Sequence, residues 1–276
     1  MVIDSHQHFW IYEPTKHSWI DDEMSNIRKN FLPADLKKVY VENDIDGCVA
    51  VQADQTLEET DFLLQLSREN DFVKGIVGWV DIRDPNIDEV LEKYHRYKKV
   101  KGFRHIVQGE PDHNFLLRPN FLRGISYLEK YGYTYDILVF PHQLGATLEF
   151  VKQFPHQKFV IDHMAKPYIK DSFYDGWAAM MNEIAKHPNV HCKVSGMITE
   201  ADYKTWTPRQ IVPYIEVVLN AFGPERLMFG SDWPVCLVAG TYGQVKSLVT
   251  DFIKTLSPTE QASIMGNNAI EFYNLT

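Results

Sequence analysis

The chain has 276 residues, 45% of them hydrophobic, so it can bury a large core as one α/β barrel or as two small domains. Its net charge is −9 and its basic residues are dispersed, which argues against a nucleic-acid partner because phosphates require clustered lysine and arginine. No segment approaches the ~20 apolar residues of a membrane span, and the first residues already read as a strand rather than as a signal peptide.

Short runs of β-branched and aromatic residues recur along the whole chain, with longer segments between them. They read as near-continuous hydrophobic stretches, as strands do when both faces of a sheet are covered. The eight predicted strands are Val2–His8, Gly47–Ala53, Gly75–Asp81, Val100–Val107, Thr134–Phe140, Lys158–His163, Val190–Ser195 and Arg226–Ser231.

Helix signals lie between these strands. Thr56–Glu59 and Ser257–Glu260 each place a hydroxyl residue three positions before a glutamate, the pattern of a capping box. Strand–helix alternation with short polar joints predicts a parallel sheet, and the simplest single-domain solution over residues 1–276 is a (β/α)8 TIM barrel, allowing for some distortion. The alternative is an open doubly wound sheet, which typically carries a Gly-rich turn after its first strand, and none is present.

The segment from Phe9 to Leu32 is unusually long for a joint between a strand and a helix, and it is rich in aromatic residues. Long joints at the carboxyl ends of barrel strands build active sites. We therefore predict a lid or pocket wall, with an aromatic loop that only packs on its neighbours as the alternative.

Ionisable side chains lie at the ends of most predicted strands. In a barrel these ends converge on one mouth, so residues far apart in sequence become neighbours. This convergence, more than any single motif, predicts an active site. The side chains concerned are His6, His8, Arg104, His105, His142, Asp162, His163, His191, Lys193 and Asp232.

Five of these positions suggest specific chemistry. Because strand side chains alternate with period two, His6 and His8 project side by side and could grip a metal or a polarised water. Asp232 could bind a metal or act as general base toward water, unless it only caps the following segment. His163 could polarise a carbonyl oxygen or hold water, and Arg104 could clamp a carboxylate or polyol through its planar fork.

Three further residues stay ambiguous at this stage. Strand alternation lets His105, Lys193 and His142 face either the mouth or the surrounding layer. Gly230, two residues before Asp232, is expected to leave room for a ligand.

With these residues in place, the chain resembles the amidohydrolase superfamily and, within it, the sugar-acid lactonase branch of L-fuconolactonases, L-rhamnonolactonases and 2-pyrone-4,6-dicarboxylate lactonases. The resemblance covers essentially the whole chain. It is carried by Asp4-Ser-His-Gln-His-Phe-Trp10, Gly102-Phe-Arg-His105, Phe159-Val-Ile-Asp-His-Met-Ala-Lys-Pro167, Lys193-Val-Ser-Gly196 and Phe229-Gly-Ser-Asp-Trp-Pro234.

The resemblance implies that His6, His8, His163 and Asp232 form the reactive centre. It also implies a single divalent metal, zinc, held by His6, His8 and Asp232, although members of this branch can also work without metal. No lysine stands at the end of the fourth strand, where a carboxylated lysine would bridge two metals, so a two-metal centre is not expected. His142 is an alternative metal ligand from the fifth strand, but it lies slightly beyond that predicted strand and next to Pro141.

For the substrate, the resemblance implies basic groups that hold hydroxyls or a carboxylate. We expect Arg104, Lys193, His105 and His142 to contribute, and Trp10 and Trp233 to stack on the ring.

The leading hypothesis is a hydrolase that opens the ester ring of a sugar-acid lactone, with Asp232 as general base toward water. Two alternatives stay open. One is a metal-dependent decarboxylase of an aromatic or enoic acid, which basic groups at the mouth would suit. The other is a non-catalytic barrel that binds sugar acids.

The cysteines complete the sequence-level expectations. Cys48, Cys192 and Cys236 are odd in number and widely separated, which indicates a reducing cytoplasm and neither a disulfide framework nor a thiolate metal site. We therefore expect a cytoplasmic enzyme with a small-molecule substrate and without nucleic-acid or membrane partners. Homo-oligomerisation stays open.

Overall fold

A computed structural model describes all 276 residues, and a cylinder of eight parallel strands forms its centre. Each strand pairs with the next in sequence, and the first and last strands meet through a parallel bridge between Gln7 and Trp233. The predicted (β/α)8 barrel is confirmed, whereas the assignment of residues 1–276 to one domain stays a prediction. The strands are β1 (Ile3–Gln7), β2 (Gly47–Val51), β3 (Val73–Gly78), β4 (Val100–His105), β5 (Thr134–Ile137), β6 (Phe159–Ile161), β7 (Val190–Val194) and β8 (Leu227–Phe229).

Helices surround the strands, and their starts follow the local sequence. The Ser257 hydroxyl accepts from the Glu260 N–H at 3.3 Å, while the Glu260 carboxylate accepts from the Ser257 N–H at 2.8 Å, as the capping-box pattern predicts. At the other predicted capping box, Thr56–Glu59, the Thr56 hydroxyl accepts from the Glu59 N–H at 3.2 Å. The second half of the box is missing, because the Glu59 carboxylate accepts from the Ala53 N–H at 2.8 Å instead. The helices are α1 (Pro33–Glu42), α2 (Leu57–Glu69), α3 (Ile87–His95), α4 (Pro119–Ile125), α5 (Leu144–Gln153), α6 (Asp175–Ala185), α7 (Pro208–Phe222), α8 (Tyr242–Ile253), α9 (Pro258–Ala262) and α10 (Asn268–Phe272).

None of these helices combines the length and the apolarity that crossing a membrane would require. All three cysteines are buried and unpaired, in agreement with the expected absence of a disulfide framework.

The barrel has two distinct cores. Between the strands and the helices lies one cluster of 67 buried hydrophobic residues. Inside the barrel, a second cluster of 10 residues fills the lumen at its amino-terminal end, where Phe272 and Tyr273 pack against strand residues such as Ile3 and Val160. This end of the lumen is therefore sealed by apolar side chains, and the polar strand ends lie at the opposite end.

An irregularity in β1 decides which residues face the lumen. The register of β1 against β2 shifts between Asp4 and Gln7, so the strict alternation of the strand is interrupted there. As a result, Ile3 packs inside the barrel, Asp4 contacts the helices outside it, and His6 again faces inward.

The long segment between β1 and α1 folds back on itself. Trp10 and Phe31 form a bridge with backbone hydrogen bonds of 3.0 and 2.9 Å, and the Phe31 ring packs against Trp233. Trp19 and Met24 reach the barrel mouth and line a cavity there. Both sequence-level interpretations therefore hold in part, since one stretch packs on its neighbours and another forms a wall.

Candidate active site

A cavity of about 390 Å³ opens at the carboxyl ends of the strands. Its base contains four of the predicted reactive or binding side chains, namely His8, Arg104, His163 and Asp232. A larger depression of about 790 Å³ lies at the opposite end of the barrel, beside the segment that seals the lumen. That depression contains none of the predicted site residues, so the chemistry is concentrated in the smaller cavity.

Asp232 owes its position to the closure of the barrel. Its N–H donates to the His6 carbonyl at 2.8 Å, which ties the end of β8 to β1. Its carboxylate Oδ1 lies 3.4 Å from His8 Nε2 and 3.8 Å from His163 Nε2. A Cβ on Gly230 would come within 2.8 Å of His6 Cβ, so this glycine is needed for the strands to close. The expectation that it makes room for a ligand was wrong.

The charge state of this group follows from its surroundings. Burial favours the neutral carboxyl of Asp232, but His163 and His8 outweigh burial and hold its pKa below the usual value. Burial also lowers the pKa of His163 to about 4. At neutral pH the cavity therefore contains an ionised carboxylate beside a neutral imidazole.

His163 is fixed by an unusual backbone and by two neighbours. Residues 163–166 all have positive φ, with values of 54°, 52°, 57° and 48°, so the chain makes a left-handed turn directly after β6. The Ser195 hydroxyl lies 2.8 Å from His163 Nδ1. Gly196 is required beside the ring, since a Cβ there would lie 2.6 Å from the same nitrogen.

Three side chains are arranged as metal ligands. His6, His8 and Asp232 each offer one ligand atom, and these atoms lie within 4.8 Å of one another. His8 Nδ1 lies 2.7 Å from the Val51 carbonyl, so its hydrogen is held there and Nε2 is left free to coordinate. His6 Nδ1 likewise faces the Asp162 carboxylate at 3.2 Å. Two imidazoles and a carboxylate suit Zn²⁺, so this donor set fits the predicted metal.

A layer of buried charges lies beneath the cavity. Asp162 accepts from Arg104 at 3.0 Å and has Lys193 Nζ at 3.0 Å, while Lys193 also contacts Asp136 at 2.5 Å. Burial opposes ionisation of Asp162, but Lys193 and His6 hold its pKa well below the usual value. The Tyr273 hydroxyl donates to Asp136 at 2.8 Å and connects this layer to the sealed end.

Several predicted substrate contacts do not reach the cavity. His105 is on the outer face of β4, where its ring stacks on Phe115 at 4.7 Å and its Nε2 lies 2.7 Å from the Glu110 carboxylate. His142 is exposed at the rim, 2.9 Å from the Tyr168 hydroxyl. Strand alternation and the position of Pro141 after β5 account for both placements.

The remaining three predicted contacts are buried elsewhere. Lys193 faces the lumen but is fully buried in the charge layer. Trp10 and Trp233 are 2% exposed and both pack on Phe31, so neither offers a face for stacking on a ring in the cavity. The aromatic side chain that this segment does give to the cavity is Trp19.

Sequence reasoning missed other residues of this region. Lys166 and Glu200 line the cavity, and Asp136 belongs to the charge layer. Asp136 carried a usable signal, because a charge between Tyr135 and Ile137 in a predicted buried strand requires a buried partner. Glu200 carried none, since it lies in an irregular segment after β7.

Comparison with known proteins agrees with this geometry. The amidohydrolase family model matches residues 3–275. The chain is 38% identical over 284 residues to an L-fucono-1,5-lactonase of Burkholderia multivorans (strain ATCC 17616 / 249), covering 99% of this chain and 96% of that protein. It is 34% identical over 277 residues to an L-fucono-1,5-lactonase of Burkholderia ambifaria, covering 99% and 95%.

A solved structure gives the same result. The crystal structure of an amidohydrolase from Burkholderia multivorans with bound zinc matches with a TM-score of 0.97, at 38% identity and over 100% of both chains. The likeness in sequence and in structure thus extends over the whole barrel and its mouth. The chain belongs to the amidohydrolase family.

Proposed function

We propose that the chain hydrolyses the ester ring of a neutral sugar-acid lactone, with water as the nucleophile and Asp232 as the general base. The observation that carries the proposal is the convergence of Asp232, His163 and His8 on one cavity of about 390 Å³. The L-fucono-1,5-lactonases that match this chain over 99% of its length support the same reaction class.

The charges around the cavity favour a neutral substrate. The charged residues that line it are Arg104, Lys166, Glu200 and Asp232, two cations and two anions. Arg104 is further paired with Asp162 beneath the cavity. Without an excess of positive charge, nothing compensates the carboxylates of a dianionic ring, whereas a polyhydroxylated lactone needs only donors and acceptors.

Asp232 is suited to activate water. Because its pKa is held below the usual value, it is ionised at neutral pH and can accept a proton. A water beside Oδ1 would lose its proton to Asp232 while its oxygen attacks the ester carbonyl carbon. When the ring carbon–oxygen bond breaks, the same proton can pass to the departing alkoxide.

His163 is suited to stabilise the carbonyl oxygen. The Ser195 hydroxyl at 2.8 Å can donate to Nδ1, which leaves the hydrogen on Nε2, the atom on the Asp232 side. A neutral imidazole that donates a hydrogen bond stabilises negative charge as it develops on the oxygen. The Arg104 guanidinium adds positive charge at the base of the cavity.

His6, His8 and Asp232 would hold a zinc ion, in line with the zinc-bound structure from Burkholderia multivorans. When bound, the ion would lower the pKa of a coordinated water to about 7. The general base, Asp232, and the hydrogen-bond donor, His163, are side chains of the chain itself and are present with or without the ion.

A panel of lactones tests the proposal. L-Fuconolactone, L-rhamnonolactone and L-galactonolactone are incubated with the protein, and ring opening is followed by proton release. Each assay is run in parallel with and without a chelator. We expect turnover of at least one of the three lactones. Failure to open any lactone, in a preparation shown to be folded and supplied with zinc, would refute the function.

The two other hypotheses predict different outcomes. A decarboxylase would release carbon dioxide from an aromatic or enoic acid, and a non-catalytic barrel would bind aldonates without turnover. The argument for a decarboxylase is weakened by the structure, because Lys193, His105 and His142 do not line the cavity.

A further inference from the structure

The cavity has a second polar wall, which the reaction described above does not use. Lys166 and Glu200 both line it, and Lys166 Nζ lies 2.9 Å from Glu200 Oε1. Their side chains are 19% and 12% exposed, so the pair is largely shielded but still reaches the cavity. Neither side chain hydrogen-bonds to any other side chain, which leaves the second carboxylate oxygen and the other ammonium hydrogens available to a ligand.

The position of Lys166 depends on the left-handed turn after β6. The Lys166 N–H donates to the His163 carbonyl at 2.8 Å, and in such a turn of about three residues, side chains three apart lie on the same side. His163 and Lys166 are therefore delivered to the cavity together. For ordinary L-residues a left-handed conformation is energetically unfavourable.

The surrounding structure holds this turn in place. The Met164 carbonyl accepts from the Trp177 indole at 2.7 Å, and both Met164 and Ala165 are fully buried. The Lys166 ammonium also lies 4.9 Å from the centre of the Phe140 ring. A strained turn that is fixed from several sides is typical of a functional site.

The chemistry of the pair suits hydroxyl groups better than carboxylates. A free lysine would attract an anionic ring, but here Glu200 neutralises Lys166 and would repel a carboxylate. Ring hydroxyls can donate to Glu200 and accept from Lys166, so both members of the pair keep a partner when a polyol binds.

We propose that the Lys166–Glu200 pair determines specificity by reading the ring hydroxyls of a neutral lactone and by excluding rings that carry a carboxylate. This inference rests on the proposed lactonase function.

The test compares three substrates of the same reaction. They are L-fuconolactone, which carries hydroxyls; δ-valerolactone, which carries none; and glucarolactone, which carries a free carboxylate. The variants are Glu200→Gln, Lys166→Met and the double variant. Glu183→Gln serves as a matched control, because Glu183 forms a similar pair with Lys186 at 2.7 Å on the exposed surface of α6.

For Glu200→Gln we expect kcat/KM on L-fuconolactone to fall about 10- to 100-fold, mainly through KM, since charge-assisted hydrogen bonds to the hydroxyls are lost. On δ-valerolactone the loss should be about threefold or less, and on glucarolactone kcat/KM should rise about tenfold because Lys166 is no longer neutralised. The double variant should lose this gain. Glu183→Gln should behave as wild type on all three substrates.

Two outcomes would overturn the inference. One is an equal loss on L-fuconolactone and δ-valerolactone, which would assign the pair to the reaction or to folding. The other is no gain on glucarolactone together with an unchanged KM for L-fuconolactone.

A binding measurement separates this inference from the proposed function. If wild type turned over no lactone, the function would fail, but calorimetry with L-fuconate would still measure hydroxyl recognition. Weaker binding by Glu200→Gln than by Glu183→Gln would then support the role of the pair, and equal binding would refute it.

Discussion

Two buried aspartates on opposite sides of the barrel wall show how one residue type serves two purposes. Asp4 lies outside the strands, where its carboxylate accepts only from neutral donors, including the hydroxyls of Ser231 at 2.6 Å and Tyr40 at 3.0 Å. Asp162 lies inside, between the cations Arg104 and Lys193.

The pKa values of the two groups shift in opposite directions. Burial raises the pKa of Asp4, and its hydrogen bonds only partly oppose that rise. The pKa of Asp162 is instead held well below the usual value by Lys193 and His6, which outweigh burial. The comparison indicates that Asp4 ties the end of β8 to the helices, whereas Asp162 fixes a charge beneath the cavity.

The largest expected effect concerns the carboxylate at the cavity itself. Asp232→Asn should lower kcat/KM on a lactone by about 10³- to 10⁴-fold, because general base catalysis is lost. The melting temperature should change little, since the asparagine amide can donate a hydrogen bond to the free Nε2 of His8. Steady-state assays and thermal unfolding measure the two effects, and near-normal turnover would exclude Asp232 as the base.

The two buried aspartates can be compared directly. Asp162→Asn should destabilise the protein by about 3–5 kcal/mol and lower kcat by about 100-fold, since Arg104 loses its carboxylate partner and Lys193 keeps only Asp136. Asp4→Asn should cost about 1–3 kcal/mol with less than about a tenfold change in kcat. Denaturant unfolding and kinetics at saturating lactone test this, and a greater loss of kcat in Asp4→Asn would contradict the comparison.

The proposed metal ligands give a third, smaller effect. Zn²⁺ at 100 times its dissociation constant should stabilise the wild type by about 2.7 kcal/mol, and chelation should reverse this shift. His8→Ala should abolish most of the stabilisation because one of three ligands is missing. His142→Ala is the control, since His142 lies at the rim, and an equal loss of the zinc effect there would place the metal elsewhere.

The smallest effect is expected at the sealed end of the lumen. Burial, together with the nearby charges of Arg226 and Lys158, lowers the pKa of His191 to about 4, and its ring packs on Phe272. The folded state thus disfavours the protonated ring, so stability should fall as pH decreases from about 6.5 toward 4. The melting temperature of His191→Gln should fall less than that of the wild type over this range. Identical profiles of melting temperature against pH would refute the assignment of this pH dependence to His191.

Much of the barrel was predictable because its strands are buried on both faces and read as apolar runs. The convergence of His8, His163 and Asp232 followed from topology alone, since carboxyl ends of barrel strands share one mouth. The sequence could not decide whether each strand side chain points into the lumen or toward the outer layer of helices. Adjacent residues Arg104 and His105 point to the lumen and to the outer layer, and either phase was compatible with the composition of β4.

The path of irregular segments was also beyond sequence reasoning. A left-handed turn is normally signalled by glycine, yet residues 163–166 contain none. The position of Lys166 therefore had no local signature, and neither did that of Glu200. Trp10 and Trp233 were expected in the cavity for their chemistry, but packing within the long aromatic segment buries them instead.

The absence of glycine from that turn has a consequence for how variants of this protein would behave. Ala165→Gly would relieve the backbone at a φ of 57°, but it would also widen the conformational choice of the segment that carries His163 and Lys166. Directed selection for heat resistance could thus favour glycine at position 165, because it relieves the backbone. Selection for turnover would reject it, because His163 and Lys166 would be held less firmly. The turn thus combines a fixed placement of His163 and Lys166 with a backbone strain that a glycine would remove.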